Sequence, residues 1–378
     1  MKTKARTLAH FSKVVWRRGA LALCLALGLL GLGLSGRTDG PNIITFDAPG
    51  AGTGPGQGTL TMGRGTEVIG YVIDPNNTFH GFLRTSEGSF KTIDVPGAGT
   101  GAGQGTLAVG LNLEGAITGW YVDANSVSHG FLRAPRGRIT KFDVPGAGQG
   151  AGQGTFAANI NAAGQIAGWC TDADGVMHGF LRAPDGRIID FDAPGAGKGP
   201  GQGTNTTLYG SLNPMGAITG NYIDANNVSH VYVRAPNGRF KTIDAPLAGA
   251  GAGQGTFTEA INPVGTVIGF YIDADNGYHS FLRTPDGRLT EFDVPGAGTG
   301  PYLGTICSDI NTEGEIVGEF FDANGAMHGF LRTPDGKFAT IDVAGAQGTG
   351  CDTNDALGAI IGIYIDGNST YHGFLRTR

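Results

Sequence analysis

Seven segments of this chain alternate apolar and polar residues in the same way, and each segment predicts four short β-strands. In the third segment, Phe156 and Ile160 fall on one face of such a stretch, as expected for a half-buried strand. Turn sequences rich in Asn, Asp, Pro and Gly separate the stretches. The predicted strands of this segment are 155–161, 165–171, 177–182 and 187–192.

The segments repeat along nearly the whole chain, and a histidine marks the predicted third strand of each. These histidines are spaced by 49, 49, 52, 49, 49 and 44 residues. They are His80, His129, His178, His230, His279, His328 and His372. A period near fifty indicates one supersecondary unit per repeat, which cannot bury its apolar face alone. The pattern therefore predicts an all-β fold, a seven-bladed β-propeller of four-stranded antiparallel blades over residues 43–378.

The two ends of the repeat region predict that the ring is closed. Residues 43–47 resemble a lone fourth strand, whereas residues 371–376 resemble a third strand with no fourth strand after it. Pairing the two would complete the last blade and place His372 opposite Asp47. An open array would instead leave two unpaired strand edges, which favour aggregation.

Each repeat also predicts a pair between its histidine and an aspartate at the end of the fourth strand. A tight turn joins the third and fourth strands, so residues fourteen positions apart face each other in six repeats. The predicted pairs are His80–Asp94, His129–Asp143, His178–Asp192, His230–Asp244, His279–Asp293, His328–Asp342 and, through closure, His372–Asp47. A second aspartate follows each second strand at the same end: Asp74, Asp123, Asp172, Asp224, Asp273, Asp322 and Asp366.

Two interpretations of this Asp–His arrangement are open. Clusters of Asp and His suit metal binding and general acid–base catalysis. Alternatively, each pair ties the third strand to the fourth and satisfies polar groups that folding buries. Seven identical copies favour the structural interpretation, because catalysis seldom needs seven identical sites.

The same end of the ring is expected to carry glycine-rich loops that lead from each fourth strand into the next repeat, such as residues 145–154. No helix is expected after them, so they do not predict a dinucleotide site. Ordering so many glycines costs entropy, so we expect these loops to be mobile or held by close backbone packing. Tyr278, Tyr302 and Tyr371 interrupt the pattern near this end and are candidate contacts for a partner, with core packing as the alternative.

No cofactor is predicted, with calcium as the one alternative that the sequence raises. Asp172 and Asp273 begin Asp-Ala-Asp loops, and calcium loops also use alternating oxygen ligands. No twelve-residue loop with a closing Glu follows, and a hairpin turn explains the same residues.

Three repeats depart from the common length. The first shortens its hairpin at residues 62–65, the fourth carries three extra residues around 205–207, and the seventh has a short glycine loop at 344–348. Such a ring could bind a partner asymmetrically. The arginine that ends each third strand, such as Arg133 or Arg283, is expected at the opposite end in solvated ion pairs of about 0–1 kcal/mol.

The N-terminal 36 residues predict export. Six basic residues precede an apolar run from about Ala20 to Leu34, which is the pattern of a secretory signal peptide, with an uncleaved anchor as the alternative. Residues 37–42 then form a short linker. Without the leader, 20 of the 26 basic residues remain against 32 acidic ones. This acidic balance disfavours nucleic acid as a partner, and no membrane association is expected beyond the leader.

Three cysteines follow the leader: Cys170, Cys307 and Cys351. Cys307 and Cys351 occupy equivalent positions in consecutive repeats, so an exported protein raises the question of a disulfide. Stacked sheets lie about 10 Å apart, whereas a disulfide needs Cα atoms within about 7 Å. The geometry therefore favours inert core residues over a bridge.

The His-Gly-Phe-Leu-Arg strands, together with the Ile-Asn-x-x-Gly-x-Ile-x-Gly hairpins, resemble the extracellular HAF repeat family, which is named for a His-Ala-Phe triplet. Gly replaces Ala after five of the seven histidines, and the repeats at His230 and His279 depart further. The resemblance covers essentially all of residues 43–378. It implies an exported bacterial repeat protein and brings no catalytic residues with it.

Two functions follow as hypotheses. The first is a secreted, monomeric, non-catalytic scaffold that binds a glycan, cell-wall or protein partner. The second is a propeller-type polysaccharide lyase or hydrolase that uses His230, Asp224 and Asp244, because the fourth repeat departs most from the others. Fold alone cannot decide between them.

Overall fold

The computed structural model describes residues 42–63, 65 and 67–377, and every regular element within them is a β-strand. The expectation of an all-β protein is confirmed, because this part of the chain contains 28 strands and no helix. The predicted leader and nearly all of the linker lie outside the described residues. No helix long and apolar enough to cross a membrane occurs in the part of the chain described.

The strands fall into seven units of four, numbered 1 to 7 along the chain. Unit 1 contains β2 (Gly58–Thr61), β3 (Val68–Ile73), β4 (Phe79–Arg84) and β5 (Phe90–Ile93). Unit 2 contains β6 (Gly105–Leu111), β7 (Ile117–Val122), β8 (Ser128–Arg133) and β9 (Ile139–Phe142). Unit 3 contains β10 (Gly154–Ile160), β11 (Ile166–Thr171), β12 (Met177–Arg182) and β13 (Ile188–Phe191). Unit 4 contains β14 (Gly203–Thr206), β15 (Ile218–Ile223), β16 (Ser229–Arg234) and β17 (Phe240–Ile243).

The remaining three units follow the same plan. Unit 5 contains β18 (Gly255–Ile261), β19 (Val267–Ile272), β20 (Tyr278–Arg283) and β21 (Leu289–Phe292). Unit 6 contains β22 (Gly304–Ile310), β23 (Ile316–Phe321), β24 (Met327–Arg332) and β25 (Phe338–Ile341). Unit 7 contains β26 (Gly348–Asn354), β27 (Ile360–Ile365) and β28 (Tyr371–Arg376), and β1 (Ile43–Phe46) is its fourth strand.

Each unit is an antiparallel meander whose register follows from its tight turns. In unit 3, Phe156 pairs with Trp169, Trp169 with Gly179, and Gly179 with Phe191. An extra residue bulges the first strand in units 2, 3, 5, 6 and 7, and such a bulge increases the local twist of a strand.

The chain ends close the array. β1 pairs antiparallel with β28 over four residues, from Ile43 opposite Arg376 to Phe46 opposite Gly373. A single parallel bridge also joins each first strand to the third strand of the preceding unit, as between Gly105 and Phe79. The corresponding bridge between Gly58 and Tyr371 joins unit 1 to unit 7, so the units form one continuous ring.

The core lies between the units and is dominated by the aromatic residue of each third strand. Phe131, Phe180, Phe281, Phe330 and Phe374 are fully buried, and Tyr232 takes this position in unit 4. A glycine in the neighbouring second strand makes room for each ring. At Gly119, a Cβ atom would lie 2.0 Å from the Leu107 carbonyl oxygen and 3.0 Å from the Phe131 ring.

First strands meet at the centre of the ring. We call this centre, together with the second-strand side chains that pack on the first strands, the ring axis. Residues of units 1, 2, 3, 4 and 7 line one cavity there of about 30 Å³, which is room for about one water molecule. The extra residues of unit 4 cause this tight closure. They place Tyr209 across the axis, where its hydroxyl lies 3.3 Å from an Asp352 carboxylate oxygen of unit 7.

The two sides of the ring axis differ in chemistry. In units 2 and 3, Trp120, Phe156 and Trp169 pack together with ring centroids 5.1–6.2 Å apart. In units 5 to 7, the first and second strands bury carboxylates, namely Glu259, Asp309, Glu319 and Asp352, although Phe257 and Phe270 still stack in unit 5. Glu319 stands at the position that Trp120 and Trp169 occupy in their units, since each pairs with the third residue of its first strand.

The expected solvated ion pairs are wrong for four of the third-strand arginines. These four arginines each stack on a phenylalanine that ends the fourth strand of the preceding unit. The guanidinium carbon lies 4.7–4.9 Å from the ring centroid in the pairs Arg84–Phe46, Arg182–Phe142, Arg234–Phe191 and Arg332–Phe292. Arg133 and Arg283 instead follow units whose fourth strand ends in Ile93 and Ile243. Burial lowers the pKa of Arg182, Arg234 and Arg332. These arginines therefore pack adjacent units together.

The cysteines of the described residues, Cys170, Cys307 and Cys351, are free and buried. Burial raises the pKa of the Cys170 thiol to about 12 and also raises the pKa of Cys307 and Cys351 well above the ordinary value of a thiol. Such thiols are unreactive at neutral pH, because the thiolate is the reactive species.

Candidate functional site

One end of the ring carries all the turns between second and third strands together with all the glycine-rich loops, and we call it the loop end. The aspartate that begins each turn organises it. The Asp123 carboxylate accepts hydrogen bonds from the backbone N–H groups of Asn125 and Val127 at 2.8 and 2.9 Å. Ser126 within this turn has a φ of 62°, a backbone conformation that Asn or Gly adopts in the turns of units 1, 3, 4, 5 and 6 and that Ser369 adopts in unit 7.

Each histidine of the loop end lies between two carboxylates. Its Nδ1 is 2.8–3.1 Å from the aspartate at the end of the fourth strand, in all seven units. Its Nε2 is 3.3–3.9 Å from the aspartate of the turn. The structure thus brings together His80 with Asp94 and Asp74, His129 with Asp143 and Asp123, His178 with Asp192 and Asp172, His230 with Asp244 and Asp224, His279 with Asp293 and Asp273, His328 with Asp342 and Asp322, and His372 with Asp47 and Asp366.

An aromatic ring of the second strand stacks on the imidazole in five units. The centroid separations are 4.7–5.0 Å for Tyr121–His129, Tyr222–His230, Tyr271–His279, Phe320–His328 and Tyr364–His372. Val72 and Cys170 pair with the histidines of units 1 and 3 instead. The imidazoles are therefore fixed by packing as well as by hydrogen bonds.

Electrostatics favour the charged pair. Burial alone would raise the pKa of the turn aspartate Asp123, but hydrogen bonds from backbone N–H groups and the nearby His129 lower it overall. The pKa values of Asp74, Asp224, Asp322 and Asp366 are lowered in the same way. For His178 and His279, partial burial opposes protonation, yet the two neighbouring carboxylates outweigh it and raise the pKa.

The glycine-rich loops are held by close backbone packing. In the loop before unit 2, the Gln104 carboxamide oxygen accepts from the Gly101 N–H, and its NH₂ group donates to the Ala124 carbonyl of the next turn. The Gly103 N–H donates to the Asn77 carbonyl of the preceding unit. A glutamine takes this role before units 1, 3, 4 and 5 as well. Each long loop thus joins two neighbouring units.

The loop before unit 6 departs from this plan. Leu303 replaces the glutamine, and Tyr302 adopts a φ of 63° where the other long loops have glycine. Tyr302 is 40% exposed at the loop end. The other two candidate contact residues, Tyr278 and Tyr371, are 5% and 3% exposed. They begin third strands and pack inside, which corrects their assignment as surface contacts.

The short loop before unit 7 leaves a pocket. The Val343 N–H and the Thr349 hydroxyl that it binds are six residues apart, whereas the equivalent residues are eleven apart in the other units. The pocket has a volume of about 290 Å³ and is lined by His328, Asp342 and the loop itself.

The loops that resemble calcium sites use their carboxylates internally. Asp172 accepts from the backbone N–H groups of Asp174 and Val176, and its second oxygen lies 3.3 Å from Nε2 of His178. Asp273 has the same contacts. No group of three or more His, Cys, Asp or Glu side chains in the described part of the chain is arranged to hold a metal ion.

The fourth unit does not differ at the loop end. His230 lies 2.8 Å from Asp244 and 3.7 Å from Asp224, and it stacks on Tyr222 as in most other units. The three extra residues of this unit act at the ring axis instead. The geometry thus gives the proposed catalytic triplet of unit 4 no feature that the other six copies lack.

Comparison with known proteins shows the class of fold. Solved structures with similar folds include a virginiamycin B lyase from Staphylococcus aureus, with a TM-score of 0.56 at 14% identity over 89% of this chain and 99% of that one. The BP39L lectin from Burkholderia pseudomallei has a TM-score of 0.56 at 12% identity over 82% and 92%. A β-propeller domain from Myceliophteria thermophila has a TM-score of 0.51 at 9% identity over 90% and 100%. This protein therefore has a closed, propeller-like all-β fold.

Identities this low show the fold alone. No family model matches the chain, and no curated protein matches it.

Sequence reasoning missed two features. The first is the set of buried carboxylates at the ring axis, although acidic residues such as Glu259 and Glu319 stand within otherwise apolar strands and could have signalled it. The second is the pocket before unit 7, whose signal was the shortened spacing between His328 and His372.

Proposed function

We propose that the protein is an exported, monomeric, seven-bladed β-propeller of the HAF repeat type that serves as a non-catalytic binding scaffold. Its seven four-stranded units are the blades, and β1 completes the last one. The partner is a polysaccharide or a cell-surface protein, and the loop end is the surface that meets it. The apolar leader and the acidic balance of the rest of the chain support export and disfavour nucleic acid.

The observation that carries this proposal is the sevenfold repetition of one satisfied Asp–His–Asp arrangement. Every imidazole lies against a carboxylate at hydrogen-bonding distance and is packed or paired by its second strand. A group that serves as a general base needs access to a substrate proton, and these groups already hold strands and turns together. The arrangement supports a rigid frame on which differing loops are displayed.

The loops that differ supply the binding surface. Tyr302 exposes an aromatic ring on the loop before unit 6, and the next loop leaves a pocket beside His328. Rigid aromatic side chains bind at low entropic cost, and loops on a rigid scaffold commonly carry function. The two modified loops are consecutive along the ring, so we expect one contiguous contact region.

A thermal-shift screen of residues 37–378 against soluble cell-wall and plant polysaccharides tests this function. A ligand that binds only the folded state stabilises it by about 2.7 kcal/mol at one hundred times its Kd. We expect at least one polysaccharide to raise the melting temperature by a few degrees. Calcium, zinc and EDTA are included in the screen, because a fall with EDTA that calcium reverses would indicate a structural metal instead.

Alanine variants of His178 and His230 separate the scaffold from the enzyme. If the protein is a scaffold, the two variants lose similar stability and neither changes the products formed from any polysaccharide. Chain cleavage by the wild-type protein that His230→Ala abolishes and His178→Ala preserves would contradict the scaffold and support catalysis in unit 4.

A further inference from the structure

The junction between units 6 and 7 differs from the other junctions of the ring in the length of its loop. At each of the other six junctions, a backbone N–H just after the fourth strand donates to the hydroxyl of the threonine in the next Gly-Thr pair, eleven residues later along the chain. At the junction between units 6 and 7, the same bond joins the Val343 N–H to the Thr349 hydroxyl, only six residues later. The histidine and aspartate pair of unit 6, His328 and Asp342, stands beside the shortened loop.

The five absent residues remove two contacts that long loops make with the preceding unit. A long loop donates one backbone N–H to the turn between second and third strands, as from Gly152 to Ser126. Its last carbonyl before the Gly-Thr pair accepts from the first N–H of the third strand, as from Ser128 to Gln153. Among the described residues, the loop 343–348 makes neither bond with Gly325 or Met327.

The space left at this junction is a pocket of about 290 Å³, which we call the junction pocket. Its lining includes Met327 and the pair His328–Asp342 of unit 6, together with Gly345 and Gln347 of the short loop. This volume is at the lower end of the range of about 300–1,000 Å³ found for small-molecule sites. It fits one sugar ring and is too small for a folded partner.

The lining of the junction pocket combines hydrogen-bond acceptors, donors and apolar atoms. Asp342 is 48% exposed and brings carboxylate oxygens. The exposed Gln347 carboxamide has its NH₂ group 3.5 Å from the Gly367 carbonyl oxygen and keeps its own oxygen and second N–H for other partners. Met327, Val343 and Ala346 supply apolar surface. None of the described residues that line the pocket is Lys or Arg, so an anionic ligand would meet a carboxylate without a compensating cation.

The imidazole in the junction pocket also lies farthest from the aspartate of its turn. Nε2 of His328 lies 3.9 Å from Asp322, the longest of the seven equivalent separations. Its Nδ1 is 3.1 Å from both oxygens of Asp342, and Phe320 stacks on the ring at 5.0 Å. The ring is therefore held in place while Nε2 stands beyond hydrogen-bonding distance of the turn carboxylate.

We propose that the junction pocket binds one neutral sugar residue of a glycan, through hydroxyl contacts to Asp342, Gln347 and His328. Hydroxyl groups both donate and accept, which suits this mixed lining, and the apolar face of a sugar ring suits Met327. This inference deepens the proposed glycan-binding function and rests on it. It also makes the ring asymmetric, with one sugar site among seven similar junctions.

A loop exchange tests the junction pocket. Replacing residues 344–347 of the full chain with the sequence of residues 145–153 restores the length of a long loop and keeps a glutamine directly before the Gly-Thr pair. The control replaces residues 96–104 with the same sequence, which leaves the length at that junction unchanged. Both variants carry a loop that folds elsewhere in this protein, so each is expected to fold.

The probes are glucose, galactose, mannose, fucose, xylose and N-acetylglucosamine at millimolar concentration, measured by saturation-transfer difference NMR. We expect at least one sugar to give a signal with the wild type and with the control exchange, and none with the exchange at 344–347. A signal that survives this exchange would overturn the junction pocket and leave glycan binding standing. No signal from any sugar with the wild type would overturn the junction pocket itself.

Failure of the junction pocket and failure of the proposed function are separated by the polysaccharide screen. If the screen finds a polysaccharide but no monosaccharide binds, the scaffold stands and the pocket does not. If neither binds, the junction pocket and the glycan-binding form of the proposed function both fall.

A matched pair of point variants locates the contact. Asp342→Asn removes the carboxylate of the pocket, and Asp143→Asn removes the equivalent one in unit 2, whose oxygens lie 3.0 and 3.1 Å from His129. The two carboxylates are 48% and 46% exposed, so loss of the strand contact is equal in both. We expect affinity for the sugar to fall about tenfold in Asp342→Asn only. An equal fall in both variants would assign the effect to the frame and overturn the contact.

Discussion

The loop end repeats the same residues in every unit, whereas the ring axis does not. At the loop end, the same histidine and the same two aspartates recur in every unit within narrow limits of distance. At the ring axis, equivalent strand positions hold Trp120 in unit 2, Trp169 in unit 3 and Glu319 in unit 6. Sevenfold repetition therefore stops where the units meet at the centre.

The difference follows from what each region must satisfy. A turn and its neighbouring loop face the same local problem in each unit, so one solution can be repeated. At the ring axis, seven strands converge on one small volume, where seven copies of a large side chain such as Trp120 would not fit. The axis is therefore filled by unlike side chains, and Tyr209 from the extra residues of unit 4 completes it.

The largest effect is expected from Trp120→Ala at the ring axis. Trp120 is buried and packs on Phe156 and Trp169 at 5.7 and 6.2 Å. Its removal leaves a large cavity, and we expect the free energy of unfolding to fall by about 3–5 kcal/mol. Urea denaturation measures the change.

His129→Ala in the same unit is the matched comparison at the loop end. This histidine is partly exposed and its contact with Asp143 is open to water, so we expect a loss of about 0–1 kcal/mol. If His129→Ala cost as much as Trp120→Ala, the loop end rather than the axis would hold the ring together.

Asp352→Ala is expected to have the next largest effect. The carboxylate accepts a hydrogen bond from the Thr61 hydroxyl at 2.7 Å and lies 3.3 Å from the hydroxyl of Tyr209. Its loss leaves buried donors without this acceptor, and we expect about 1–3 kcal/mol of destabilisation.

A double-mutant cycle with Thr61→Val isolates the bond between Asp352 and Thr61. We expect the double variant to lose less stability than the sum of the two single variants. Additive losses would mean that the two side chains do not support each other.

A smaller difference in stability is expected between variants of two arginines that occupy equivalent positions in the repeat. Arg182 lies over Phe142 at 4.9 Å, whereas Arg133 follows a unit whose fourth strand ends in Ile93. A desolvated cation–π contact contributes up to about 2 kcal/mol. We therefore expect Arg182→Gln to lose more stability than Arg133→Gln in thermal denaturation, and Phe142→Ile to remove the difference.

These arginines show where sequence-based prediction stops. Alternation and turn residues within a unit predict its strands closely, and the chain ends predict closure, because both depend on contacts near in sequence or on a shared pattern. The contact of Arg182 with Phe142 joins different units, so it depends on how the units pack. From the spacing of residues alone, Arg182 is expected at the surface, whereas the structure buries it.

The candidate site shows the same limit. The pairing of His328 with Asp342 follows from strand register and could be predicted from a constant separation of fourteen residues. The pocket beside this pair exists because the loop before unit 7 is too short to cover this surface. The sequence shows that the loop is short but not which surface it leaves uncovered. Burial of Tyr278 and Tyr371 likewise depends on the neighbouring unit.

The smallest expected effect is the pH dependence of the loop end. The lowered pKa values of turn aspartates such as Asp123 and Asp366 mean that their contribution to stability is present above 3.8, the pKa of an aspartate in the unfolded chain, and is lost as pH falls through the folded pKa. The raised pKa values of His178 and His279 mean that their contribution is complete below pH 6.5 and is lost as pH rises through the folded value. Stability should therefore be greatest between about pH 4 and 6.5, with the upper slope limited to about 0–1 kcal/mol because water screens these pairs. Calorimetry across pH 3 to 9 measures both slopes. The double variant His178→Gln, His279→Gln should flatten the upper slope and keep the lower one, and an unchanged upper slope would assign the dependence to groups away from these imidazoles.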